Sequence, residues 1–164
     1  MQGAGAGTWL AWLESTGLGV AMRRWLWLYP GVEIVHIAGI VMLVGAAAMF
    51  DLRLLGFSPR LPVGAMASHL LPWARAGLAL VVPTGLMMFV AHAGEMAANP
   101  AFRLKLVLIA AALANAAAFH RWPFRSVSRW DVDVRAPAAA RLAAAASLTL
   151  WASVIACGRL LAYF

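Results

Sequence analysis

The chain has 164 residues, of which 64% are hydrophobic and only 12% are charged. A mean hydropathy of +0.83 excludes a soluble domain, because a domain of this size could not bury so much apolar surface. The net charge of +7 arises mainly from basic residues at helix ends and in short loops, where membrane topology places them. No basic stripe with interleaved aromatic residues is present, so nucleic acid is excluded as a partner. The expected partner is the lipid bilayer.

Residues 1–29 are predicted to form a flexible start, Met1 to Gly7, followed by one or two interfacial helices over residues 8–28. Trp9, Trp12, Leu13 and Thr16 recur at helical spacing, so one helical face is aromatic and apolar. Such an amphipathic helix is typical of the membrane surface. An ordinary belt of interfacial aromatic residues is the alternative.

Residues 30–164 are predicted to form one transmembrane domain, since a span of about 20 apolar residues crosses the hydrocarbon core. The expected spans cover about residues 31–55, 73–96, 101–122 and 138–163. Pro72 and Pro83 interrupt the second apolar stretch, which predicts a short lead-in helix over 63–71 and a kink at Pro83. The last span is rich in alanine and is expected to pack closely. The predicted fold class is all-α, an integral membrane four-helix bundle with an N-terminal interfacial amphipathic helix.

With four spans, both termini lie on one membrane face, called the terminal face below. The loops after the first and third spans lie on the other face, called the loop face. Seven arginines lie at or near the loop face, against five basic residues on the terminal side. This bias predicts that the loop face is cytoplasmic and that both termini lie on the opposite side of the membrane.

Several short motifs resemble those of a bacterial family of small four-helix membrane proteins of unknown function. They are His36-Ile37-Ala38-Gly39, Asp51-Leu52-Arg53-Leu54-Leu55-Gly56, Pro72-Trp73, Asn99-Pro100-Ala101-Phe102-Arg103-Leu104-Lys105, Phe119-His120-Arg121 and Gly158-Arg159. The resemblance covers residues 28–163 and implies a membrane bundle in a bacterial inner membrane, in which both termini would be periplasmic, without an activity to carry over. A looser likeness to cytochrome b561-type bundles concerns architecture alone.

The four histidines are predicted to form two pairs when placed by depth. His36 and His92 are both expected within about 10 Å of the terminal face, and His69 and His120 near the loop face. Facing imidazoles can hold a b-type haem between helices. Gly39, three residues after His36, would then face the space between the helices and let the macrocycle approach the backbone.

A non-haem metal site is an alternative use of the same region. Glu33 lies three residues before His36, and Glu95 lies three residues after His92. Two carboxylates and two imidazoles at one level could bind zinc, manganese or iron.

The sequence therefore supports three alternative functions. The first is a b-type cytochrome-like electron-transfer subunit that works with quinone or a redox partner protein. The second is a cofactor-free anchor or scaffold within a complex or homo-oligomer, and the third is a non-haem metal-binding protein. No catalytic constellation is visible.

Asp51 and Arg53 are expected near the loop face, with Asp51 held by Arg53, Arg75 or Arg121 because an unpaired buried carboxylate is costly.

Overall fold

The computed structural model describes residues 4–161 and Tyr163. Within them the chain forms seven α-helices and one 3-10 helix, and the four longest are long and apolar enough to cross a membrane. The fold is therefore an all-α membrane bundle, as the composition predicted. The α-helices are α1 (Ala4–Ser15), α2 (Gly17–Arg24), α3 (Leu28–Leu55), α4 (Val63–Ala91), α5 (Ala93–Ala98), α6 (Pro100–Arg121) and α7 (Ala138–Leu160), and the 3-10 helix covers Pro123–Arg129.

The helix boundaries differ from the expected ones at the start of α1 and along α4. Helix α1 begins at Ala4, within the stretch predicted to be flexible, of which residues 1–3 lie outside the described part. Ala162 and Phe164, at the end of the last predicted span and just past it, also lie outside it. Helix α4 is the largest difference, because it runs unbroken from Val63 through both prolines and ends at Ala91 rather than at residue 96. In a membrane helix, neighbouring helices and side chains can compensate for the backbone hydrogen bond that each proline removes.

The four long helices do not form a fully closed ring. Helix α3 packs against both α4 and α7, and α7 packs against α6. Along the described residues, no backbone contact joins α4 to α6. The alanine-rich α7 packs closely, as predicted, since Ala140 and Ala144 are only 0% and 1% exposed. The result is a bundle with a cleft along one side, between α4 and α6.

Arg53 ties the loops of the loop face together. Its side chain is 2% exposed, and it donates to the carbonyl oxygens of Leu61 at 2.6 Å, Pro59 at 2.8 Å and Asp131 at 3.0 Å. The carboxylate of Asp131 accepts in turn from the backbone N–H of Gly64, in the first turn of α4, at 2.7 Å. The predicted position of Arg53 is therefore right, but its partners are loop carbonyls rather than Asp51.

The two N-terminal helices dock on the terminal face. Arg23 donates to the carbonyl oxygen of Ala91, the last residue of α4, at 2.7 Å and to that of Glu14 at 2.6 Å. The Glu14 carboxylate accepts from the N–H of Gly94 at 2.8 Å. The tryptophan side chains of this region stay exposed, up to 78% for Trp27, as expected for a segment at the lipid headgroups.

Candidate functional site

His36 lies inside the bundle, held by α4. Its Nδ1 is 2.8 Å from the hydroxyl oxygen of Thr84, and that hydroxyl lies 2.6 Å from the carbonyl oxygen of Leu80. Because the Leu80 carbonyl can only accept, the Thr84 hydroxyl donates to it and accepts from His36 Nδ1–H. The His36 ring therefore carries a proton on Nδ1.

His92 does not converge with His36. It is the residue that ends α4, and its ring packs edge-on against Tyr29 with centroids 5.7 Å apart. Tyr29 precedes His36 by seven residues on α3, which corresponds to about 10 Å along the helix axis. Two imidazoles on one iron place their ligating nitrogens about 4 Å apart. The structure therefore places the His92 ring beside Tyr29, about 10 Å along α3 from His36.

Gly39 does not face an open space either. A Cβ atom at this position would lie 2.9 Å from Val81 Cγ2 and 3.1 Å from the carbonyl oxygen of Gly77. Helices α3 and α4 thus touch where the haem hypothesis requires them to stand apart. Gly39 permits a close helix crossing, which is the usual use of small residues between membrane helices.

The four residues of the predicted metal site do not form one. Glu33 and Glu95 are exposed, and both are electrostatic neighbours of Tyr29, while Glu33 is also a neighbour of His36. Among the described residues, no group of three or more His, Cys, Asp and Glu side chains is positioned to hold a metal ion. The predicted set of His36, His92, Glu33 and Glu95 is therefore not assembled.

The second histidine pair lies nearer the loop face, and its members have different surroundings. His69 is exposed on α4. His120, also exposed, packs edge-on against Phe119 and Phe124, with centroids 5.2 Å away in both cases, and it lines a cavity that His69 does not reach.

This cavity has a volume of about 240 Å³ and lies in the half of the bundle nearer the loop face, where α3, α4, α6 and α7 all contribute to its walls. Asp51 lines it with a carboxylate that is 7% exposed. Its Oδ2 atom is buried and has no hydrogen-bond partner. Asp51 is thus near the loop face as predicted, but no arginine satisfies this oxygen.

Four further polar side chains line the same cavity. Ser147 lies beside Asp51, and Asn115 donates from its amide to the carbonyl oxygen of Ala143 at 2.9 Å. Arg75 and His120 are exposed and are electrostatic neighbours. The other walls are apolar, formed by Leu43, Ala47, Phe50, Leu71, Ala74, Leu78, Leu113, Ala116, Phe119, Ala143, Ala144 and Trp151. The cavity is a mostly apolar space with a few placed polar groups, which is the usual composition of a ligand site.

The cavity occupies the cleft between α4 and α6. Arg75 comes from α4 and His120 from α6, so the two walls of the cleft each contribute one basic or titratable group. Nearer the terminal face, Phe89 of α4 stacks on Phe102 of α6, with centroids 5.5 Å apart and planes 8° from parallel. The cleft is thus bridged by side chains at one end and holds the cavity at the other.

The match of the whole bundle to a family model decides the classification. A model described as a family of unknown function, DUF6644, matches residues 9–164. The chain belongs to the DUF6644 family. No curated protein and no solved structure matches it. The family membership agrees with the resemblance seen in the motifs, and the function has to be argued from the site.

Sequence reasoning found part of this site and missed the rest. Asp51 and His120 were singled out as polar residues within apolar runs. Asn115, Ser147 and Trp151 were not, although an amide within an apolar span is a signal of the same kind. What brings them together is the packing of α7 on α3 and of α6 on α7, which no local pattern records.

Proposed function

We propose that this DUF6644 protein binds a small, mainly apolar molecule within the membrane, in the cavity around Asp51. The observation that carries the proposal is the buried Oδ2 atom of Asp51 without a hydrogen-bond partner. A buried polar group left unsatisfied costs free energy, and such groups in membrane segments usually mark sites of function. A ligand that donates a hydrogen bond to Asp51 removes that cost.

The size of the cavity limits the ligand to about one substituted ring. A cavity of roughly 150 Å³ holds a benzene molecule, and this one measures about 240 Å³. The flat macrocycle of a haem is too large for it. The apolar walls favour a hydrocarbon body, and the polar groups around Asp51 favour a head that forms hydrogen bonds.

The test is a thermal unfolding series in lipid nanodiscs with three decyl-chain compounds: a hydroquinone, an amine and a carboxylic acid. A ligand that binds only the folded protein raises the free energy of unfolding by about 2.7 kcal/mol when its concentration is a hundred times its Kd. At least one compound is expected to raise the midpoint of the wild type and of Glu95→Gln, an exposed control, but not of Asp51→Asn. An equal shift in Asp51→Asn, or no shift with any compound, would overturn the proposal.

The b-type cytochrome function with quinone or a redox partner stays a prediction. In its favour, the hydrogen bond from Nδ1 to Thr84 orients the His36 ring, as a second partner does in many metal-ligating histidines. Two observations count against a haem between His36 and His92. The His92 ring lies at Tyr29, and Gly39 is packed against α4 rather than facing an open space. A reduced-minus-oxidised spectrum of the purified protein tests the haem directly.

The anchor or scaffold function also stays a prediction, supported by exposed Trp9, Trp12, Trp25 and Trp27 beside the docked N-terminal helices. The chain is a multi-pass membrane protein by its four apolar helices. The bacterial inner-membrane location is supported by the family resemblance, and the periplasmic position of the termini is supported by the arginine bias. A reporter fused after Phe164 is expected to be active in the periplasm.

A further inference from the structure

The charges and the open side of the Asp51 cavity narrow the class of ligand. This inference rests on the proposed function. We infer that the ligand is a quinol: a neutral ring that carries two hydroxyl groups and an apolar tail. Three features of the cavity support this class, namely its balance of charge, the kinds of hydrogen-bonding groups in it, and the cleft through which a tail can leave.

The balance of charge favours a neutral head. Asp51 is the acidic residue among the cavity walls, while Arg75 is the permanently charged basic one and lies near His120. An ammonium head would pair with Asp51 but would be repelled by Arg75. A carboxylate head would pair with Arg75 but would be repelled by Asp51. A neutral head meets neither repulsion, which matters most at low dielectric constant.

The hydrogen-bonding groups favour a head that both donates and accepts. When Asp51 is ionised it can only accept a hydrogen bond, and Arg75 can only donate one. Ser147 beside Asp51 can do either. Each hydroxyl of a quinol can donate or accept, so one hydroxyl meets the needs of the ionised Asp51 and the other those of Arg75. A quinone carbonyl only accepts, so it leaves Oδ2 of the ionised Asp51 unsatisfied.

The cleft between α4 and α6 provides a route for the tail. These two helices make no backbone contact along their described lengths, and Leu71 and Leu78 of α4 face the cavity together with Leu113 of α6. The stacked Phe89 and Phe102 close the cleft nearer the terminal face. A tail can therefore run from the ring into the bilayer in the half of the membrane nearer the loop face.

The decisive experiment compares the Kd of a decyl-tailed hydroquinone with that of the corresponding quinone, in nanodiscs under nitrogen. The wild type and Glu95→Gln are expected to bind the hydroquinone about tenfold more tightly or better, the usual value of a hydrogen bond to a charged group. In Asp51→Asn the preference is expected to fall to about one, because an amide can donate as well as accept. Equal binding of both forms by the wild type would overturn the quinol assignment.

Two further comparisons separate this inference from the proposed function. If decylamine binds in an Asp51-dependent way and the hydroquinone does not, the cavity is a ligand site but the quinol assignment is wrong. If no compound shows a dependence on Asp51, both are wrong. Should Asp51→Asn not fold, Ser147→Ala replaces it. That variant keeps the carboxylate and is expected to weaken hydroquinone binding severalfold, and unchanged binding would contradict the assigned position of the head.

Discussion

Gly77 of α4 lies directly against the backbone of Gly39 of α3. A Cβ atom at residue 77 would lie 2.6 Å from the carbonyl oxygen of Gly39 and 2.6 Å from the backbone nitrogen of Leu43. Neither atom can move without moving the helix that carries it. The close crossing of α3 and α4 therefore depends on glycine at this point, and it fixes one wall of the cavity, since Leu43 also lines it.

The first prediction concerns this crossing. Gly77→Ala is expected to destabilise the bundle by about 1–3 kcal/mol, the usual cost of overpacking. Gly45→Ala is the matched control in α3, because a Cβ there meets nothing within 4 Å, and it is expected to be neutral or stabilising by up to about 1 kcal/mol. Unfolding by SDS titration in mixed micelles measures both. Similar effects of the two substitutions would show that the crossing is not tight.

The second prediction concerns Arg53. Arg53→Met is expected to cost about 3 kcal/mol or more, because three carbonyl oxygens lose a charged donor. Arg53→Lys is expected to recover only part of this, since an ammonium lacks the planar fork that reaches several acceptors. The exposed Arg60 provides the control. The same SDS titration applies, and an effect of Arg60→Met as large as that of Arg53→Met would contradict the assignment.

The third prediction concerns the docking of α1 and α2. Arg23→Ala removes the bonds to Ala91 and Glu14 and is expected to speed hydrogen exchange in residues 9–24 by about tenfold, the equivalent of 1.4 kcal/mol. Exchange in the middle of α3 is expected to stay unchanged. The neighbouring Arg24 is exposed, so Arg24→Ala is the control. If both substitutions have the same effect, these bonds do not hold the N-terminal helices.

The number and nature of the membrane helices could be predicted from sequence because lipid imposes a length and a composition on each span. The boundaries of α4 could not. Its end at Ala91 coincides with a bond from Arg23, 68 residues away along the chain. Pro72 was expected to separate a lead-in helix from the second span, yet the helix continues through it. The hydrocarbon core contains no water that could hydrogen-bond an unpaired backbone group, so a continuous helix is favoured over a break.

The site was harder to predict because depth along a helix does not give the direction of a side chain. His36 and His92 were placed at one level by counting residues on the assumption of helix to residue 96. Helix α4 ends instead at Ala91, and the ring of the next residue, His92, packs on Tyr29. Asp51 was rightly identified as a costly buried carboxylate, but counting could not show that Arg53 points to the loops and that a cavity opens beside it.

The most direct test of the central claim, that the Asp51 cavity binds a ligand, is photoaffinity labelling with a decyl-tailed hydroquinone that carries an aryl azide. After irradiation in nanodiscs, mass spectrometry locates the labelled residues. The label is expected on residues 113–120 of α6 and 143–151 of α7, to be displaced by excess unlabelled hydroquinone, and to be lost in Asp51→Asn but not in Glu95→Gln. Labelling spread over the lipid-facing surface, without competition and unchanged in Asp51→Asn, would contradict the claim.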